Sequence, residues 1–250
     1  MNDIPSIAIW IGLTFVAAGF VKGVVGMGLP AIAMGALSLV MAPASAAAVL
    51  VLPSLLTNVW QLFAGPNFGV LLRRLAMMLL GLCVGTGLGI GVLTGESAAL
   101  AGAALGAALA AYGAVSLAAP RFTVPARAEP WLSPLIGLLT GLVTGATGIF
   151  SLPAVPYINS LGLAKEELIQ ALGLSFTVST LALAVALAWS GHFQLALAGS
   201  SLLALLPALA GMYLGQGLRG KLQPEVFRKW FLTGLILLGA YMLARVLVPK

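Results

Sequence analysis

Lys22 is the one ionisable side chain set inside an apolar motif of this chain, Gly19-Phe20-Val21-Lys22-Gly23-Val24-Val25-Gly26-Met27-Gly28-Leu29-Pro30. A charge within a membrane helix is costly and is by default a functional candidate. An ammonium there would draw an anion. The other reading is a lysine that snorkels to a membrane edge, and the residue types leave both open. The motif returns as Gly141-Leu142-Val143-Thr144-Gly145-Ala146-Thr147-Gly148-Ile149-Phe150-Ser151-Leu152-Pro153. Its glycines keep one offset, since 141 − 19, 145 − 23 and 148 − 26 all give 122. Neutral Thr144 stands where Lys22 stood.

Glycine lets a helix unwind at low steric cost and lets backbones approach closely. Proline suits the first turn of a helix, where its missing N–H would be unpaired in any case. Each motif therefore predicts a break followed by a new helix start. Helix N-termini offer free N–H groups and partial positive charge, which suit an anion. Gly26, Gly28, Gly148 and Ser151 are the expected backbone contacts, with Thr147 beside them. The competing reading is close helix packing without a ligand.

Polar residues cluster after each motif. Ser54, Thr57, Asn58 and Gln61 follow the first at helical spacing; Gln170, Ser175, Thr177 and Ser179 follow the second. Ser54 answers Ser175, and Asn58 answers Ser179, both at offset 121 (175 − 54 and 179 − 58). Such a neutral lining donates hydrogen bonds to sulfite- or sulfonate-like oxygens, or else serves as interhelical glue.

Other chemistry is poorly provided for. Apart from Glu167 at the very start of one apolar run, no Asp or Glu lies within such a run, which argues against a carboxylate proton relay through the bilayer; Glu166 and Glu167 could act at a membrane edge. One His and one Cys supply no metal ligand set, and no phosphate-binding Gly-Lys-Ser/Thr loop occurs. No cofactor is expected. His192 reads as an interfacial residue and Cys83 as a small lipid- or core-facing one.

These residues must be carried by membrane helices. The 250 residues are 61% hydrophobic and 7% charged, against about 25% charged in a soluble domain, and mean hydropathy is +1.11. The apolar runs lack the alternation of a membrane barrel, which leaves helices. The N-terminus has no basic region and does not read as a cleaved signal. The net charge of +6 reports loops beside a membrane, and nucleic acid is not an expected partner. Apolar runs fall at 4–21, 29–41, 44–64, 70–93, 97–118, 131–147, 152–161, 167–189, 194–217 and 226–248. The runs at 29–41 and 152–161 are short for a crossing of about 20 residues. Each is half of a re-entrant hairpin or a short tilted crossing.

Residues 1–120 and 131–250 read as two membrane repeats joined by a linker at 121–130, within a stretch rich in proline and charge. With an odd number of elements per half, Arg73, Arg74, Arg121, Arg127, Lys165, Arg219, Lys221, Arg228 and Lys229 share one side. Asp3, Glu96 and His192 then lie opposite, with Arg245 and Lys250 at the far terminus. The positive-inside rule favours that count, which inverts the second repeat and makes both termini extracytoplasmic. The expected fold is an all-α integral membrane protein of two inverted-topology repeats. Each has three or four long helices plus a glycine-broken helix or re-entrant hairpin.

At the paired glycine motifs, and at Leu52-Pro53-Ser54-Leu55-Leu56-Thr57-Asn58, the chain resembles the sulfite exporter TauE/SafE family. The resemblance spans nearly the whole chain. It implies a bacterial inner-membrane carrier of small sulfur-containing anions. Leu29 and Phe150 are bulkier than is usual before the motif prolines. The expected function is secondary transport by alternating access, with Lys22, Gly26, Gly28, Ser54, Asn58, Thr147, Gly148, Ser151, Ser175 and Ser179 around the substrate. Expected partners are a small anion and the bilayer, with a homodimer left open. The alternatives are an intramembrane hydrolase using His192 with a serine, and a non-transporting scaffold.

Overall fold

A computed structural model describes residues 4–118, 123–193 and 195–247. Asp3, Arg121 and Lys250, which the charge argument uses, lie outside them. Ten helices follow in order: α1 (Ile4–Val25), α2 (Leu29–Leu37), α3 (Pro43–Leu62), α4 (Phe68–Thr94), α5 (Ala98–Ala118), α6 (Glu129–Thr147), α7 (Ala154–Asn159), α8 (Lys165–Trp189), α9 (Leu195–Leu218) and α10 (Pro224–Leu247). No strand occurs among the described residues. Among the described residues, seven helices are long and apolar enough to cross a membrane: α1, α3, α4, α5, α8, α9 and α10. α6 has the length, but its threonines, glycines and prolines lower its hydropathy. The chain is a multi-pass membrane protein.

Lipid tails give helices no hydrophobic reason to associate, so close backbone packing must hold them. Glycines supply it. A methyl group at Gly19 or Gly23 would strike the carbonyls of Ala208 or Met212 on α9; one at Gly211 or Gly215 would strike those of Val16 or Phe20 on α1. The same interlock joins α4 to α6, where Gly81, Gly85 and Gly89 face Gly137, Gly141 and Gly145. Both pairs run parallel. In contrast, Leu62 meets Gly173 while Asn58 meets Thr180, so α3 and α8 run in opposite directions. Gly106 meets Gly239 and Gly113 meets Leu232, so α5 and α10 do too.

The short helices double back. Trp10 of α1 donates its indole N–H to Ala36 O near the end of α2, at 3.1 Å. Ser133 of α6 and Tyr157 of α7 share a hydrogen bond of 2.6 Å. Each pair closes a helical hairpin whose tip is a glycine motif.

Pro53 sits inside α3. A proline there frees the carbonyl four residues back, which lipid cannot satisfy. That carbonyl, Val49 O, accepts from Ser201 Oγ of α9 at 2.8 Å.

Apart from Lys22 and Arg245, the basic residues of the described segments gather at one end. Arg74 pairs with Glu129 through bonds of 2.7 and 2.9 Å and reaches Leu161 O at 3.2 Å. Asn67 binds Glu167 at 2.7 Å, and Arg228 donates to Ser116 O at 2.7 Å. The α3–α4 turn, the starts of α6, α8 and α10, and the ends of α5 and α7 therefore lie together. Trp131, Trp230 and Trp60 project outward near this end and Trp189 at the other, as interfacial aromatics do.

Candidate functional site

Both glycine motifs are breaks. α1 ends at Val25; Gly26 and Gly28 take φ of +82° and +101°, and α2 starts at Leu29 with Pro30 in its first turn. α6 ends at Thr147, and Gly148 takes φ of +73°. Left-handed backbone of this kind costs a side-chain-bearing residue roughly 1–2 kcal/mol, so the repeated glycines fix where the helices stop.

Lys22 lies one turn before the first break and is 5% exposed. It does not snorkel. Its ammonium donates to Thr57 Oγ1 at 3.0 Å and makes a short bond to Asn58 Oδ1. Asn58, 1% exposed, donates in turn to Thr180 Oγ1 of α8 at 3.1 Å. The ammonium thus sits where α1, α3 and α8 meet. The partners that face it are neutral: Thr57 and Asn58 on α3, with Gly215 and Gln216 of α9 packed on Gly23. The one ion pair found among the described residues is Arg74–Glu129, at the basic end. With neutral partners alone around it, no protein carboxylate competes with an incoming anion for this nitrogen.

Three buried hydroxyls near these elements have no protein partner: Ser54 Oγ on α3, Ser175 Oγ on α8 and Ser151 Oγ at the second break. Ser54 is one turn from Asn58, and Ser175 precedes Thr180 by five residues. Buried hydroxyls are almost always paired, so an unpaired set marks positions where a ligand or water completes the bonding.

Other expected contacts are occupied. The Gly26 and Gly148 N–H groups bond to Lys22 O and Thr144 O at 2.7 Å each. They do not face a cavity as free donors, because each closes the last turn of its helix. Gly28 and Ser151 N–H make no such backbone bond among the described residues. α7 has only six residues, too few for a helix-dipole site. Thr147 Oγ1 donates to Val143 O at 2.6 Å and accepts from Ile149 N–H at 3.2 Å, so it caps the break. Ser179 Oγ donates to Ser175 O at 2.8 Å; its neighbour Thr180 makes the contact with Asn58. Gln61 and Gln170 act as glue, binding backbone groups between α8 and the end of α3.

Two residues escaped the sequence reading. Thr180 lies one position from the offset partner of Asn58. Tyr112 of α5, 0% exposed, buries a hydroxyl that has no partner in hydrogen-bond geometry.

A groove of about 620 Å³ lies elsewhere, between α4 and α8, with Cys83, Gly87, Val178, Val185 and Trp189 on its walls. Those walls are nearly all apolar and open outward, so the groove offers an anion nothing. The Lys22 cluster itself is closed. His192 Nδ1 lies 2.9 Å from the backbone oxygen of Ser190, whose hydroxyl donates instead to Leu187 O at 3.1 Å. They form no catalytic dyad.

The family model for Sulfite exporter TauE/SafE matches residues 11–242. No curated protein and no solved structure matches the chain. The matched span takes in both breaks, Lys22 and all the hydroxyls described above. That family comprises membrane transporters of sulfur compounds, not enzymes, which removes the hydrolase alternative. With its membrane helices and buried cation, this chain belongs to the sulfite exporter TauE/SafE family.

Proposed function

We propose that the chain is a secondary transporter of a small sulfur-containing anion (sulfite, an organosulfonate or thiosulfate) working by alternating access. One observation carries this reading: the Lys22 ammonium, 5% exposed and held by neutral Thr57 and Asn58 where α1, α3 and α8 meet. An anion entering there gains the attraction of a desolvated cation and the free hydroxyl of Ser54, one turn from Asn58; Ser175 and Ser151, also unpaired, are further contacts in this reading. Neutralising the charge offsets its cost of burial.

The reading includes two inverted-topology repeats, 1–120 and 131–250, joined at 121–130. The opposed directions of α3 and α8, and of α5 and α10, support it. So does the cross-pairing in which α1 packs on α9 and α6 on α4. Such repeats put the substrate at their interface, and rocking of one against the other exposes it to either side. The closed Lys22 cluster is then an occluded state. The gathering of Arg73, Arg74, Arg127, Lys165, Arg219, Lys221, Arg228 and Lys229 at one end supports reading that end as the cytoplasmic side, in a bacterial inner membrane.

Counterflow in proteoliposomes tests this. Labelled sulfite, sulfoacetate or thiosulfate should accumulate against the matching unlabelled anion trapped inside. Failure of purified, folded protein to bind or move any of the three would favour a scaffold instead.

A further inference from the structure

Lys22 meets two side-chain atoms that can only accept. The Thr57 hydroxyl spends its proton on Pro53 O at 2.7 Å, so its oxygen takes an N–H of Lys22 at 3.0 Å. Thr180 spends its own proton on Phe176 O at 2.7 Å, so its oxygen takes an N–H of Asn58 Nδ2 at 3.1 Å. That turns the amide oxygen of Asn58 toward Lys22. An ammonium has three N–H donors, whereas a neutral amine has two and a lone pair. Either form satisfies Thr57 and Asn58. Only the third position on the nitrogen distinguishes them, and no described residue accepts from it.

No titratable group faces this nitrogen from the elements around it. α1, α2 and α3 hold none besides Lys22. On α8, Lys165, Glu166 and Glu167 lie in the first turn; Glu167 precedes Thr180 by 13 residues (180 − 167), about 20 Å along the helix. Tyr213 and Arg219 of α9 are exposed, as are Glu225, Arg228, Lys229, Tyr241 and Arg245 of α10. An ammonium buried in the empty site has no counter-charge and is costly, and the neutral amine avoids that cost. An anion at the third position reverses the preference, because it sets an opposite charge against the nitrogen.

We propose that Lys22 carries one proton with each anion. The amine takes the proton from water on the loading side and holds it while the anion occupies the third position. It returns the proton to water on the release side as the anion leaves, and the empty carrier reorients with Lys22 neutral. This rests on the transport reading and supplies its coupling ion. One proton offsets one negative charge. A monovalent anion then crosses electroneutrally, and a dianion crosses with one net negative charge, which a negative-inside potential drives outward.

The test uses the full chain in proteoliposomes held at zero membrane potential with potassium and valinomycin. Thiosulfate and sulfoacetate take up no proton near neutral pH, and each is read against protein-free liposomes. Sulfite, which takes up its own proton, is read as the difference between wild type and Lys22→Arg. With the lumen one pH unit more alkaline, an anion that shows counterflow should accumulate about ten-fold, the ratio for one proton per anion. Lys22→Arg keeps a cation that does not deprotonate. It should retain part of its counterflow and show no accumulation driven by the pH gradient. Lys22→His, smaller and protonated only at lower pH, should stay coupled, with its uptake shifted toward acid. Counterflow by wild type without accumulation overturns the inference and leaves the transport reading standing. Accumulation by Lys22→Arg equal to wild type, or an unshifted pH profile in Lys22→His, also overturns it, since the proton then rides elsewhere. If wild type exchanges none of the three anions, the transport reading falls and the inference with it.

Discussion

Asn58 Nδ2 donates to Thr180 Oγ1 across 3.1 Å, while the oxygen of the same amide accepts from Lys22. One side chain therefore fastens α3 to α8 and faces the buried cation with a neutral acceptor. A carboxylate would serve the ammonium better electrostatically, and would cancel the charge an anion needs.

Asn58→Asp should expose that difference. An ion pair would form with Lys22, so the thermal midpoint in detergent should stay level or rise. Anion affinity should fall at least ten-fold, because the incoming charge would meet a neutral pair and a nearby carboxylate. Calorimetric titration with thiosulfate reads the affinity. Wild-type affinity in this variant would place the anion away from Lys22.

Lys22→Gln removes the charge and keeps a donor for Asn58. Burying a lysine at membrane depth costs about 2.5–3.5 kcal/mol on insertion scales, so this variant should be no less stable than wild type. Counterflow should nevertheless drop by ten-fold or more, and Lys22→Arg should retain part of it. Unchanged transport in Lys22→Gln would remove the residue from the site.

The glycine interlocks separate packing from flexibility. A methyl group at Gly85 would collide with Leu138 O and come within 2.8 Å of Leu142 N, while Gly87 on the same helix has nothing within 4 Å. Gly85→Ala should force α4 and α6 apart and cost about 1–3 kcal/mol, as overpacking does. Gly87→Ala should be neutral. Thermal unfolding of the two variants side by side decides it, and equal effects would contradict the interlock.

The breaks were legible because only glycine takes positive φ freely, so Gly26 and Gly148 announce themselves by residue type and spacing. The choice of Lys22 was legible for a similar reason: one charge in an apolar motif has few explanations. Side-chain direction was not. An offset of 121 pairs Asn58 with Ser179, but helices α3 and α8 cross with an azimuth that turns Thr180 inward and leaves Ser179 bonded to its own helix. The free N–H groups expected of Gly26 and Gly148 were lost to the final turns of α1 and α6, since a helix that stops at a left-handed glycine can still close its last bond. Tyr112 escaped because one tyrosine in an alanine-rich helix is as well explained by a membrane interface as by a buried site.

Inversion of the two halves makes a claim about sidedness that cysteine labelling can check. Cys83 is the single native cysteine, and Cys83→Ser gives a blank background. Glu96→Cys lies in the α4–α5 turn and Gly220→Cys between α9 and α10, both exposed. An odd number of elements per half puts these turns at opposite ends of the bundle. In intact cells a membrane-impermeant maleimide should label Glu96→Cys, and Gly220→Cys should react only after the membrane is opened. Labelling of both from one side would mean an even count, parallel halves and no inverted interface. The broken helices would then share one orientation, and a rocking mechanism built on their opposition would have no structural basis.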